Sequence, residues 1–168
     1  MADEKYPRQL SLAIETSGLS KRSISRKSFL SESSIGKYAL GQRSVDHEKK
    51  KSLWSLLKGV RLGLSSARAD FGIISFMNNP RINEDVFAAT TTADQEESER
   101  KAIWTDFKNA IKVPEKKRTR QQQEIVTKGF KELVEEIASE QTELIELAEY
   151  GGIDPQPFID KFNQTFGG

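Results

Sequence analysis

The chain has 168 residues, a formal net charge of +1, no cysteine and one histidine. Without cysteine there is no disulfide framework, no cysteine-ligated zinc or iron–sulfur site and no thiol nucleophile. Hydrophobic residues make up 36% and charged residues 30%, with a mean hydropathy of -0.60, and no run approaches the ~18–20 apolar residues of a membrane span. One ordinary domain, or a small domain with an appendage, is expected, in a soluble chain with no membrane partner. Residues 1–12 carry no basic patch ahead of an apolar run, so no secretory signal is expected and the chain is read as cytoplasmic. The near-zero net charge hides a split. Residues 18–61 hold 11 basic and 3 acidic side chains, whereas residues 129–168 hold 2 and 9. A basic head suits a polyanion, and an acidic tail does not.

Residues 1–8 read as a lead-in. Leu10, Leu12, Ala13 and Ile14 predict a first helix over 8–17, stopped by Gly18. Ser20 is suited to cap a second helix over 21–28. Ser31 is suited to cap a third, from 32 to about 40, that ends at Gly41. Glu32 in its first turn complements the helix dipole. Ile35 and Ala39 are four apart and point to a core, joined by Tyr38 or Leu40 according to register. Asp46 caps a fourth helix that includes residues 49–60, with Leu53, Trp54, Leu56, Leu57 and Val60 on a broad apolar face. The apolar pattern continues to Phe76, but Gly59, Gly63 and Gly72 interrupt it, so two or more helices are expected. Asn78, Asn79 and Pro80 mark a turn.

Residues 83–86 read as one turn of helix, and 88–93 show no period. Asp94 is expected to cap a helix over 95–111 that carries Ile103, Trp104, Phe107 and Ile111 and stops before Pro114. Residues 115–123 are polar, as a linker or as the exposed start of the last long helix. Residues 124–150 carry the clearest helical stripe: Ile125, Phe130, Leu133, Val134, Ile137, Ala138, Leu144, Ile145 and Ala148. Gly151 and Gly152 close it. Pro157 opens a short helix with Phe158, Ile159 and Phe162, fraying from Gln164. The fold class expected is all-α, with a long amphipathic helix near the C-terminus.

Residues 18–43 read GLSKRSISRKSFLSESSIGKYALGQR. This run resembles the helix-turn-helix of phage repressors of the Cro/C1 type, the Xre family. Gly18, Leu19 and Ser20 match its opening. Ile24 takes a buried aliphatic place and Ser25 the small-residue place. Leu30 and Ser31 match the pair before the recognition helix, Ile35 its buried residue, and Gly41 and Arg43 its close. Phe29 stands where that family's turn usually has glycine, and Ser28 where a buried leucine is usual. The resemblance implies a helix-turn-helix domain over 8–78, followed by a helical region over 79–168. It implies a sequence-specific regulator of phage or bacterial type that binds double-stranded DNA, in the main a dimeric repressor, without a cofactor. Glu32, Ser33, Ser34 and Lys37 would face base edges. Ser20, Arg22, Arg26, Lys27, Ser31 and Arg43 would hold the DNA backbone.

Such a head pairs with a second copy to cover two half-sites. The stripe residues Phe130, Leu133, Val134, Ile137, Leu144 and Ile145 are the expected place of homodimerisation, the alternative being that the stripe packs on Trp104 and Phe107 of the same chain. No catalytic or metal-binding group is expected. His47 lies beside Asp46 and Glu48 and reads as a surface residue. Glu135, Glu136, Glu140 and Glu143 read as a solvated face without accompanying histidine. There is no Gly-rich phosphate loop and no G-x-S-x-G frame. The competing readings are an antitoxin-like helical adaptor with a regulatory protein or peptide partner, and a plasmid or phage partition factor that marks DNA.

Overall fold

Side-chain oxygens at Ser20, Ser31, Asp46, Asp85 and Thr119 cap the N-termini of five helices by accepting a backbone N–H two or three residues on. These caps satisfy amides that no carbonyl of the helix can reach. In this computed structural model, residues 5–79 and 85–167 are described. Among them the fold is all-α, without strands: α1 Lys5–Thr16, α2 Lys21–Ser28, α3 Glu32–Ala39, α4 His47–Leu57, α5 Val60–Phe71, α6 Val86–Ile111, α7 Arg120–Gly151 and α8 Gln156–Phe166, with a 3-10 turn at Glu115–Lys117. None of these helices is long and apolar enough to cross a membrane. Pro80 of the expected turn and residues 83 and 84 of the expected helical turn lie outside the described residues. Two compact units divide the chain, residues 1–75 with 154–168 and residues 76–153.

In the first unit, α1 packs on α3 and α5, α2 on α3 and α4, and α4 on α5. Tyr6, Leu10, Ile14, Ile24, Ile35, Tyr38, Leu53 and Leu62 form the core. Each such side chain contributes about 1.5–3 kcal/mol on burial. α1 starts earlier than the expected residue 8 because the Tyr6 ring belongs to this core. The apolar run after Asp46 is broken where Lys58 and Gly59 take positive φ values of 61° and 93°, so it forms two helices. Helix stops at Phe71, although Phe76 beyond it is buried. α8 carries Pro157 in its first turn and buries no side chain.

A charged network braces the first unit. The Lys50 ammonium pairs with Asp70 and lies 5.3 Å from the Tyr6 ring centroid. His47 Nδ1 lies 2.9 Å from the other Asp70 oxygen, and its ring meets Phe71 edge-on at 5.8 Å. Burial pushes the Asp70 carboxyl up, but the hydrogen bonds and charges of Lys50 and His47 outweigh it and hold its pKa below the usual carboxylate value.

In the second unit, α6 and α7 form an antiparallel hairpin. Phe87 meets Tyr150 at 6.0 Å, Arg100 pairs with Glu136, and Phe107 meets Phe130 at 5.5 Å. The helix expected over 95–111 begins instead at Val86, capped by Asp85, with Asp94 exposed inside it. Val86, Ala89 and Ala93 supply an inward seam there. Within that helix the Thr90 and Thr92 hydroxyls donate to the Val86 and Ala88 carbonyls, which satisfies them without a tertiary partner. Residues 115–123 divide into the 3-10 turn and the start of α7, which Thr119 and Gln122 open with a capping box.

The seam is apolar at the end near the connection, where Phe107, Ala110 and Val126 are buried with Trp104 and Ile125 beside them. Its middle is polar. Glu132, Glu136, Ser139, Thr142 and Glu146 are all buried, so Glu136 is no part of a solvated face. Burial, and then the charges of Glu135, Glu99 and Glu132, raise the Glu96 pKa. The apolar stripe of α7 is only partly covered. Phe130, Val134 and Leu144 are exposed, Leu133 and Ile137 are half-buried, and only Ile145 of the six expected contact residues is buried.

Two substitutions test this packing. A Cβ at Gly129 would fall inside the Phe107 ring. Gly129→Ala is therefore expected to destabilise the hairpin, because overpacking costs about 1–3 kcal/mol and exceeds the ~1 kcal/mol gain in helix propensity. Thermal unfolding should show a lower midpoint, and a rise would mean that the ring moves aside freely. Asp70→Asn leaves Lys50 unpaired. It should cost about 2 kcal/mol at neutral pH, below the full buried-pair value because Asp70 is partly solvated. The folded pKa of Asp70 is lowered, so its contribution is present at neutral pH and is lost as pH falls through that value, below about 4. Denaturant titrations at neutral and acidic pH should show the difference between wild type and Asp70→Asn shrinking in acid.

Candidate nucleic-acid interface

The segment from Ser20 to Arg43 is built from two eight-residue helices with similar starts. Ser20 has φ -67° and ψ 149°, and its hydroxyl accepts from the Ser23 amide at 3.1 Å. Ser31 has φ -68° and ψ 147°, and its hydroxyl accepts from the Ser34 amide at 3.1 Å. In each case the extended cap residue turns the chain into a helix whose first amides point outward. Ile24 of α2 and Ile35 of α3 are both 0% exposed. They anchor the two helices to the same core, with Leu19 and Leu30 packed at its margin.

The two residues at the end of α2 are unusual. Ser28 is buried, and its hydroxyl donates to the Ile24 carbonyl at 2.7 Å. A small polar side chain is tolerated there because it finds its partner within its own helix. Phe29 caps α2 in the left-handed region, with φ 57° and ψ 27°. Its ring is 95% exposed, so no burial offsets the backbone conformation.

Glu32, Ser33 and Lys37 are exposed. Ser33, Gly36 and Lys37 lie on the face of α3 opposite Ile35 and Tyr38, as three- and four-residue spacing requires. A Cβ at Gly36 would meet nothing within 4 Å, so this face is open. Ser34 differs from its neighbours. It is half-buried, and its hydroxyl oxygen accepts from Ser31 Oγ at 2.9 Å. Tyr38 is buried while Leu40 is 71% exposed. The register thus puts the ring in the core and adds an aliphatic side chain to the outer face, one turn beyond Gly36. Sequence reasoning did not include Leu40 among the outward residues, because one step of register decides between it and Tyr38.

Arg22, Arg26 and Lys27 of α2 are exposed, as are Ser20 and Ser31. The Arg43 guanidinium is exposed and lies 5.8 Å from the Tyr38 ring centroid. Not every base of the head is available to an anion. Lys50 is buried against Asp70. Lys49 pairs with Asp46, and that hydrogen bond raises the lysine pKa and lowers that of the carboxyl.

In the hairpin, carboxylate oxygens of Glu96, Glu99 and Glu132 lie within 4.8 Å of one another. Lys131 reaches Glu132 at 3.8 Å, so a cation of the chain itself already stands beside the group. No protein-family model, curated protein or solved structure matches the chain.

Phe29→Gly tests the left-handed cap. An L side chain in that region costs about 1–2 kcal/mol, against an added unfolded-state entropy for glycine of about 0.5–1 kcal/mol. The substitution should raise the thermal midpoint by a few degrees, on the scale of about 4–8 °C per kcal/mol for a small domain. A lower midpoint would show that the exposed ring makes a stabilising contact.

Proposed function

We propose that α2 and α3 act as a helix-turn-helix that binds double-stranded DNA, with α3 in the major groove, and that the chain is a cytoplasmic transcriptional regulator of the phage-repressor kind. The observation that carries this reading is the open outer face of α3, bearing Ser33, Gly36 and Lys37, behind which Ile24 and Ile35 hold two serine-capped helices on one core. A helix with its side chains is about 10–12 Å across, which suits a major groove about 12 Å wide. The exposed Arg22, Arg26 and Lys27 of α2 support it as a source of phosphate contacts.

Each residue then has a role set by its chemistry. Lys37 donates to guanine acceptors or to a phosphate, Glu32 accepts from a cytosine amino group, and Ser33 does either. Leu40 offers an apolar contact to a thymine methyl group. Ser34 serves α3 rather than a base, since its hydroxyl is engaged with Ser31. The capped starts of α2 and α3 present free amides to phosphates, and Arg43 follows the backbone beyond α3. In this reading α7 is an amphipathic helix that serves assembly rather than DNA.

The test is genome-wide capture of bound fragments by the full chain, followed by titration of the best site over a range of salt. Binding should weaken log-linearly with salt, with a slope of about -0.9 per phosphate contact. Arg22→Ala should weaken all sequences alike and reduce the slope by about 1. Lys37→Ala should cost about 1–3 kcal/mol on the best site and relax its sequence preference, with non-specific binding kept. Absence of an enriched site and of salt-dependent binding to any duplex would overturn the reading in favour of a protein-binding adaptor.

A further inference from the structure

We infer that Glu96 and Glu99 of α6 and Glu132 of α7 form a binding site for a hard divalent cation, of calcium's size rather than magnesium's, within the hairpin. The inference uses the second unit alone and does not depend on DNA binding.

The pairing of charges along the hairpin leads to these three residues. Residues 96–101 of α6 and 131–136 of α7 together hold six carboxylates and three cations. Each cation has a carboxylate of its own. Lys101 pairs with Glu97 at 2.7 Å, Arg100 with Glu136, and Lys131 with Glu135 at 2.5 Å. Left over from these pairings are Glu96, Glu99 and Glu132, the same three whose carboxylate oxygens lie within 4.8 Å of one another. Lys131 stands 3.8 Å from Oε1 of Glu132, with its side chain 63% exposed, too far for a hydrogen bond. Three like charges so close repel one another unless a cation stands among them.

Burial makes the demand sharper. Glu132 is 4% exposed, and its Oε2 is buried without a hydrogen-bond partner. Oε2 of Glu96 is buried in the same way. A carboxylate oxygen taken from water and given no donor is among the costliest groups a fold can bury. Glu136, equally buried, is met by Arg100, whereas no donor of the chain meets these two oxygens. Glu99 is exposed, and its Oε1 accepts from Gln95 at 2.8 Å. The group is therefore open to water on that side, so an ion can enter and keep part of its hydration shell.

The donor set and its spacing choose the ion. All three ligands are carboxylates, the chain has no cysteine, and its one histidine, His47, belongs to the first unit. Oxygen donors alone suit calcium, magnesium or manganese rather than copper or zinc. Three atoms no more than 4.8 Å apart leave a point within about 2.8 Å of all of them. Oxygen ligands stand about 2.3–2.6 Å from calcium but about 2.0–2.1 Å from magnesium, which also demands octahedral geometry and gives up water reluctantly. The spread of the oxygens suits the larger ion, with water and second carboxylate oxygens completing its shell. Bound there, the ion ties α6 to α7 and adds to the stability of the hairpin by linkage.

The full chain, stripped with a chelator and titrated by calorimetry, should take up one Ca²⁺ with a Kd of about 10⁻⁴ M. Millimolar Ca²⁺ should raise its thermal midpoint, and Mg²⁺ should bind at least tenfold more weakly. Glu132→Gln and Glu96→Gln keep the shape of the side chain and remove its charge. Each should weaken Ca²⁺ at least tenfold and abolish the rise in midpoint, with helix content by circular dichroism unchanged. Glu97→Gln, whose carboxylate belongs to Lys101, should bind like wild type. No saturable binding of Ca²⁺ at millimolar concentration overturns the inference. Weakening by Glu97→Gln as large as by Glu132→Gln also overturns it, since that marks a diffuse counterion effect rather than a site. Mg²⁺ bound as tightly as Ca²⁺ overturns the choice of ion.

Discussion

The contact between Arg100 and Glu136 determines which way α7 faces. Both side chains lie in the seam of the hairpin, 17% and 6% exposed. Separating them would leave a buried charge without a partner, at a cost of several kcal/mol. Sliding α6 along α7, or rolling α7 to bring its apolar stripe inward, breaks the pair. The rest of the seam follows that register. Phe107 reaches Gly129, where the missing side chain leaves room for its ring. At the far end Phe87 reaches Tyr150. A polar layer of this kind gives up stability relative to an apolar seam and gains a single register in return. Beside the buried carboxylates, Phe130, Val134 and Leu144 are left about half exposed.

The same contact explains what could not be read in the sequence. Counting apolar residues at helical spacing finds the stripe of α7 but says nothing about which face meets α6. The stripe is divided, with Val134 and Leu144 exposed and Ile145 and Ala148 buried, while the middle of the seam is written in Glu132 and Glu136, which resemble an ordinary solvated surface. α6 was hidden for a related reason. Its first turns hold Val86, Ala89 and Ala93 on the seam, but Thr90, Thr91 and Thr92 between them give no period, and Asp94 imitates a cap. Only the partner helix distinguishes Asp85, which does cap, from Asp94, which does not. The pairing of Lys50 with Asp70 was equally invisible, because it joins residues on two helices.

The head was far more legible, because its signals are local. Gly18, Ser20, Ser31 and Gly41 punctuate the chain at positions where backbone geometry demands them, and both ends of α2 fall where the caps predict. The outward placement of Ser33 and Lys37 follows from their spacing against Ile35. What failed was what depends on more than spacing. Ser34 shares that stretch of helix, yet its hydroxyl bonds back to the cap. Leu40 and Tyr38 exchange places between core and surface on one step of register. Phe29 could be identified as standing in a glycine place, and it adopts the conformation of one, with a ring that nothing covers.

Contacts of Arg22, Arg26, Lys27 and Lys37 with phosphates would weaken steeply as counterions compete. The split of charge along the chain bears on where such contacts could form. The basic side chains of α2 and α3 are exposed, whereas Glu132, Glu136 and Glu146, three of the seven carboxylates between residues 132 and 149, are buried. A polyanion would therefore be drawn to the head by exposed charge, and α7 would oppose it only with those carboxylates that face water.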